Sequence, residues 1–221
     1  MNEKILDEYF NNYALVNCRE VIETVKNDYI AFEKYQTSFV YVAKSGILKM
    51  STILSDGNEF NIKLVGAGNI VTLLEDEVSP VVDMPFTIKT LSREAEIILL
   101  DRVSFWEDIK KDSILNEYIR SYYRKNLHYQ IRKTCALASN GKYGAVCSQL
   151  FELQLLFGKD TDKGRMIDLS ISNEELAKFC GMSTASSFNR ILRKLKDQGI
   201  IQTIDNRIVI NDADLLKPFF T

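Results

Sequence analysis

Seven consecutive residues carry most of the chemistry that this chain offers. Thr184, Ser186, Ser187, Asn189 and Arg190 fall within residues 184–190, with Ala185 and Phe188 between them. Short hydrogen-bonding side chains followed by a guanidinium suit the reading of base edges. Ser and Thr hydroxyls contact bases or phosphates, Asn pairs with adenine, and Arg makes a bidentate contact to guanine. The small side chains also allow close approach of the backbone. Arg193, Lys194 and Lys196 follow and suit phosphate neutralisation. Arg207, further on, is placed to track a nucleic-acid backbone.

The flanking sequence predicts how these groups are held. Ser172-Asn173-Glu174-Glu175 is a capping box, with Ser172 capping Glu175 and Glu175 reaching back. Leu176, Ala177, Phe179 and Cys180 give that helix an apolar side, and Gly181 supplies a tight turn. Ser183 then caps a second helix, Thr184 to Gln198, whose buried stripe is Phe188, Ile191, Leu192 and Leu195. Gly199 stops it. Ile200 to Thr203 and Arg207 to Ile210 read as strands around an Asp205-Asn206 turn. Two short helices and a hairpin make a winged helix-turn-helix, whose second helix enters the major groove of DNA. The same fold with a solvated basic face also serves protein contact.

Charge is divided in the same sense. The 221 residues carry a net charge of −2, but residues 1–117 hold 12 Lys and Arg against 20 Asp and Glu, whereas residues 118–221 hold 16 against 10. No acid occurs between Leu176 and Lys196. An acidic part joined to a part with clustered base suggests a sensor or scaffold attached to a polyanion binder.

Upstream, Leu6 to Val25 reads as mostly helical. Residues 28–101 read as a small antiparallel barrel or jelly roll. Its strands include Ser38 to Ala43, Ile47 to Leu54 and Glu59 to Leu64, with turns at Ser55-Asp56-Gly57-Asn58 and Gly66-Ala67-Gly68. Phe86 to Leu91 and Ala95 to Leu100 read as a further pair around Ser92-Arg93-Glu94. From Val103 to Ala138 there is neither Pro nor Gly, and one long helix is expected. Leu115, Ile119, Tyr122, Leu127 and Ile131, with Cys135, recur three to five residues apart on one face. Such a stripe suits two-fold dimerisation through the helix, and it also suits packing on the chain's own barrel. Asn140-Gly141 breaks the helix, Lys142 to Phe157 forms another, Gly158 to Gly164 is a polar loop, and Met166 to Ile171 is a short strand. The fold class is therefore α+β: a roll over 1–102, a dimerisation helix over 103–139 and a winged helix-turn-helix over 140–221.

Other chemistry is scarce. The chain has one histidine, His128, and four scattered cysteines, Cys18, Cys135, Cys147 and Cys180. Neither catalytic residues nor metal ligands are expected, because no zinc spacing, P-loop, G-x-G-x-x-G or G-x-S-x-G occurs. A metal-holding roll enzyme needs clustered His and Glu, which are missing. The cysteines read as buried reduced thiols, with redox sensing as the alternative. The longest apolar runs fall well short of the ~18 residues of a membrane span, and the polar N-terminus is unlike a secretory signal. A cytoplasmic protein without a membrane partner is expected.

The order of roll, long helix and winged helix resembles the Crp/Fnr family of bacterial transcription regulators. The carrying motifs are Ser183 to Ile191 (STASSFNRI), then Leu192, and Lys196 to Ile201 (KDQGII). Asn140-Gly141-Lys142, Gly144, Cys147 to Leu150 and Phe157-Gly158-Lys159 resemble the PrfA-like branch, and its readers match Ser186 and Arg190. The resemblance implies a cytoplasmic homodimer on double-stranded DNA, with RNA polymerase as partner if the protein is an activator. Most family members have Arg-Glu where this chain has Ala185 and Ser186, so the DNA sequence read should differ. The cyclic-nucleotide signature is missing from residues 66–90, which have Gly68-Asn69 and no arginine, and the cysteine cluster of the iron–sulfur branch is missing too. Neither cofactor is expected. The PrfA-like branch implies glutathione as an effector between domains. Lys125, Tyr129 and Gln149 match that pocket's types, although Gly66 and Phe157 depart from it. Ordinary packing also accounts for the three.

Overall fold

The computed structural model describes residues 2–32, 36–71, 82–83, 86–139 and 141–220. The break signal at Asn140 and much of the segment 66–90, which is without the cyclic-nucleotide signature, lie outside the described residues. The chain divides into two compact units. Residues 1–52 and 62–126 form the first, and residues 53–61 and 127–221 form the second.

The first unit opens with helix α1, Glu3–Val16, capped by the Asn2 side chain on the Lys4 amide. The helix stops earlier than expected. Glu20–Val25 is strand β1, because its Val, Ile and Thr residues suit a pleated surface, and it pairs antiparallel with β9, Glu94–Asp101. The remaining strands are β2 (Tyr29–Ala31), β3 (Gln36–Thr37), β4 (Phe39–Ser45), β5 (Ile47–Ile53), β6 (Glu59–Gly66), β7 (Val82–Asp83) and β8 (Thr87–Thr90). They form sheets of order β1-β9-β4 and β2-β8-β5-β6 and a short β3-β7 pair. The expected hairpin of β8 with β9 is therefore not formed; the two strands belong to different sheets. The connection is held by the corner before β5 instead. Leu91 and Ser92 donate their amides to the Ile47 carbonyl at 2.9 and 3.2 Å, and the Ile47 amide donates to Ser92 Oγ at 2.9 Å.

The continuous apolar run in β9 follows from burial on both faces. Ala95, Ile97 and Leu99 join Tyr41, Leu48, Val65 and Ile88 in one core. Ile98 and Leu100 face the other way, into a core with Leu6 and Phe10 of α1, Val40 and Val42 of β4, and the helices that follow.

Those helices correct the expectation of one long helix. Helix α2 covers Arg102–Lys111 and α3 covers Ser113–Ser139, with Asp112 extended between them at φ −110° and ψ 110°. Asp112 Oδ1 accepts from the Ile114 and Leu115 amides at 2.8 and 3.0 Å, and Tyr9 donates its hydroxyl to the same carboxylate. A side-chain cap thus breaks the helix without Gly or Pro. The apolar stripe is split as well. Leu115 and Ile119 are buried with Phe10 and Phe105, Tyr118 stacks on Phe10 at 4.1 Å, and Tyr122 packs on the same core. Leu115 and Ile119 are therefore core residues of their own unit rather than dimerisation residues; Tyr122 is half-buried, and Leu127 and Ile131 are 62% and 54% exposed.

In the second unit, α4 spans Gly141–Phe157 and is buried from Gly144 to Leu150. The expected polar loop is a hairpin, β10 (Gly158–Thr161) and β11 (Gly164–Ile167), turning at Asp162-Lys163. Its polar residues fit because β10 is exposed along most of its length. Helices α5 (Asn173–Phe179) and α6 (Ala185–Asp197) follow, then β12 (Ile201–Ile204) and β13 (Arg207–Ile210). The four strands form one sheet of order β10-β11-β13-β12. Among the described residues no helix is long and apolar enough to cross a membrane.

Candidate nucleic-acid interface

Helix α5 is capped by Ser172, whose Oγ accepts from the Glu175 amide at 3.1 Å. Its C-terminus closes through the Cys180 and Met182 amides, both donating to the Ala177 carbonyl, and Gly181 takes φ +64°. That left-handed conformation is why glycine sits in the turn. The expected cap of α6 moves by one residue. Thr184, not Ser183, is the N-cap, and its hydroxyl lies 3.1 Å from Ser186 Oγ rather than capping an amide.

Phe188, Leu192 and Leu195 of α6 are buried. The outward stripe is Ser186, Asn189, Arg190 and Arg193, at helical spacing, all exposed along with Thr184, Lys194 and Lys196. Ser187 is half-buried on the flank. Asn189 Oδ1 accepts from Asn173 Nδ2 of α5 at 2.7 Å. On the other flank the Lys194 ammonium lies 4.7 Å from the Tyr143 ring, and Tyr143 donates its hydroxyl to Gln198 Oε1 at 3.1 Å.

Two basic residues are already paired with carboxylates. Arg207 is correctly placed on the β12–β13 wing, but its guanidinium donates to Asp168 Oδ1 at 2.8 Å, and Lys159 pairs with the same carboxylate. These cations, Lys159 foremost, hold the Asp168 carboxyl below its usual range. Arg207 is thus held in a wing ion pair and is a third exposed. Lys178, one of the bases in the acid-free run, pairs with Glu59 and Glu175 at 3.0 and 3.1 Å. Asn61 Nδ2 donates to the Glu175 carbonyl and carboxylate at 2.9 and 3.1 Å, so the tip of the β5–β6 hairpin packs on α5. Sequence reasoning missed this hairpin contact, and missed Asn173. Only the position of Asn173 directly after the Ser172 cap, sixteen residues before Asn189, could have pointed to it.

The three effector candidates fall in different units. Lys125 is in the first unit and pairs with Glu3 and Asp7 at 3.5 and 4.0 Å. Tyr129 and Gln149 are in the second, where they line a cavity of about 20 Å³ with Lys133, Ser148, Glu152 and Phe179. That volume accommodates about one water. Gln149 donates to Glu152 at 3.3 Å, and Lys133 donates to the Asn61 carbonyl at 2.9 Å. Burial lowers the Lys133 ammonium to about 8 and raises the Glu152 carboxyl against the opposing pull of Lys133. Burial pushes the Cys147 and Cys180 thiols up to about 11 and about 12, which favours the thiol over the thiolate, whereas Cys18 is half-buried and Cys135 exposed rather than buried as expected. Among the described residues no cluster of three or more His, Cys, Asp or Glu is placed to hold a metal ion.

An antiparallel roll followed by a winged helix-turn-helix with an outward basic helix defines a transcription regulator. Residues 144–219 match the Crp-like helix-turn-helix domain. The chain is 34% identical over 209 residues to the lactate racemization regulatory protein of Lactiplantibacillus plantarum, covering 95% of each chain. It is 24% identical over 214 residues to the listeriolysin regulatory protein of Listeria monocytogenes, covering 96% of this chain and 90% of that one. The structure of FixK2 from Bradyrhizobium japonicum superposes with a TM-score of 0.77 at 17% identity, covering 91% of this chain and 97% of that chain. The chain belongs to the Crp/Fnr family of transcription regulators, with a PrfA-like regulator among its relatives.

Proposed function

We propose that this regulator is a homodimer that reads a near-palindromic DNA operator with its two α6 helices. The outward stripe of α6 is the observation that carries the reading. Thr184, Ser186, Ser187, Asn189 and Arg190 are assigned to bases, and Arg193, Lys194 and Lys196 to phosphates. A two-fold pair of such helices reads half-sites about one helical turn, ~34 Å, apart. The exposed Leu127 and Ile131 on α3 supply apolar surface for the second copy. RNA polymerase is the further partner if the protein activates. A small effector is part of the proposal, with Tyr129 and Gln149 as its contacts. Glutathione far exceeds the present cavity, so its binding requires that cavity to open and to favour the DNA-competent arrangement.

Selection of random duplex DNA by the purified protein at two salt concentrations tests the reading. Enrichment of a two-fold symmetric motif, with affinity falling as salt rises, is expected. Absence of any salt-sensitive binding, with and without glutathione, overturns it.

A further inference from the structure

The recognition helix carries an amide whose orientation is set from outside the helix. Asn189 and Asn173 are both exposed, yet their side chains meet across the α5–α6 junction, Asn173 Nδ2 donating to Asn189 Oδ1 at 2.7 Å. A carboxamide has an acceptor end and a donor end of nearly the same shape, and only its partners decide which end faces where. With Asn173 donating to Oδ1, turning the Asn189 amide alone by half a turn would set one NH₂ against another, so the two amides turn only together. One lone pair of Oδ1 and both hydrogens of Nδ2 remain free. That is the acceptor–donor edge which pairs with adenine N6 and N7. Asn173 itself stands at the first position of α5, where the Ser172 cap fixes the backbone.

We propose that Asn173 is a positioning residue for base readout: it couples its amide to that of Asn189 and so biases which base Asn189 prefers. The inference rests on the DNA-reading role of α6. It assigns specificity to a side chain of α5 that was not among the expected readers.

The test is the same duplex selection, run with the wild type, Asn189→Ala, Asn173→Ala and Asn173→Asp. Asn189→Ala identifies the base pair that Asn189 reads, by the loss of preference there. Asn173→Ala is expected to weaken preference at that same pair by about 5-fold, the scale of one lost orienting hydrogen bond, with the other positions and the salt slope unchanged. Asn173→Asp offers only acceptors, so Asn189 must turn its Nδ2 toward residue 173, and the preferred base at that pair should change. Thermal unfolding confirms that the exposed substitutions leave the fold intact. If the wild type enriches a motif and both Asn173 variants enrich the same one, the positioning role is wrong while DNA reading stands. If the wild type enriches no motif under any condition, the reading of α6 fails and takes this inference with it.

Discussion

Lys178 donates its ammonium to the Glu59 carboxylate at 3.0 Å, and this ion pair joins helix α5 to the tip of a hairpin 119 residues earlier in the chain. The two side chains are only 19% and 24% exposed, and Lys178 also reaches Glu175. Burial alone would lower the Lys178 pKa; the bonds to Glu59 and Glu175 outweigh it, and the net shift is upward. A partly screened pair of this kind interacts more strongly than a surface bridge without the full desolvation cost of a buried one. A double-mutant cycle with Glu59→Gln and Lys178→Met should return a coupling of about 1–2 kcal/mol in chemical denaturation. A coupling of zero would mean that water already separates the charges.

The bases of α6 and the wing divide into three kinds, and salt titrations of operator binding should separate them. Arg190→Ala is expected to cost about 1–3 kcal/mol and to relax preference at one base pair. Lys196→Ala should weaken all sequences alike and reduce the salt slope by about 1. Arg207→Ala should leave the salt slope unchanged, because its charge already faces Asp168. A drop of about 1 for Arg207→Ala would return it to the phosphate ligands.

Much of this was legible in the chain because local physics decided it. The Ser172 cap, the Gly181 turn and the apolar spacing of Phe188, Leu192 and Leu195 are short-range signals, and the structure realises each. Glu59 to Leu64 is a strand as read, but its buried position is the polar Asn61, while Phe60, Ile62 and Leu64 are half-buried. What could not be read was long-range. Nothing near Ser92 says that β8 and β9 part into different sheets, because the decision lies in the Ile47 corner. Nothing near Lys178 reveals Glu59. The split of the α3 stripe depends on α1, which brings Phe10 against Tyr118. Asp112 could have been read as a cap, but polar residues are common inside helices, and only Tyr9 singles this one out.

The two halves of the α3 stripe should answer differently to substitution. Leu115→Ala removes a fully buried side chain and is expected to lower stability by about 2–5 kcal/mol while leaving association of the folded protein unchanged. Leu127→Glu and Ile131→Glu together place charge on exposed apolar positions and should turn a dimer into a monomer at micromolar concentration, with stability of the monomer little changed. Sedimentation equilibrium beside denaturant melts decides this. A dimer that survives both charges would move the interface elsewhere.

The Lys133 ammonium gives a pH dependence with a definite sign. Its folded pKa is about 8, depressed by burial below the ordinary value of 10.5. The unfolded chain therefore binds more protons between those values, and stability contributed by this group rises with pH from about 8 toward 10.5. Below pH 8 the folded protein carries the full cost of a desolvated charge, offset by the Asn61 carbonyl and by Glu152. Lys63, also lowered to about 8 by burial, acts in the same direction, whereas Cys147 and Cys180 oppose it above pH 9, since folding raises their pKa values. The wild-type curve alone is thus a mixture, and the informative quantity is the difference from Lys133→Met. Because removing the ammonium also takes from Glu152 the stronger of the two cations beside it, Lys133 and Arg132, the variant should be the less stable of the two at pH 7. The gap should then widen as pH climbs from 8 to 10, since only the wild type sheds the cost. Denaturant midpoints at pH 7, 8, 9 and 10 measure it, and a gap that stays constant would place Lys133 in water.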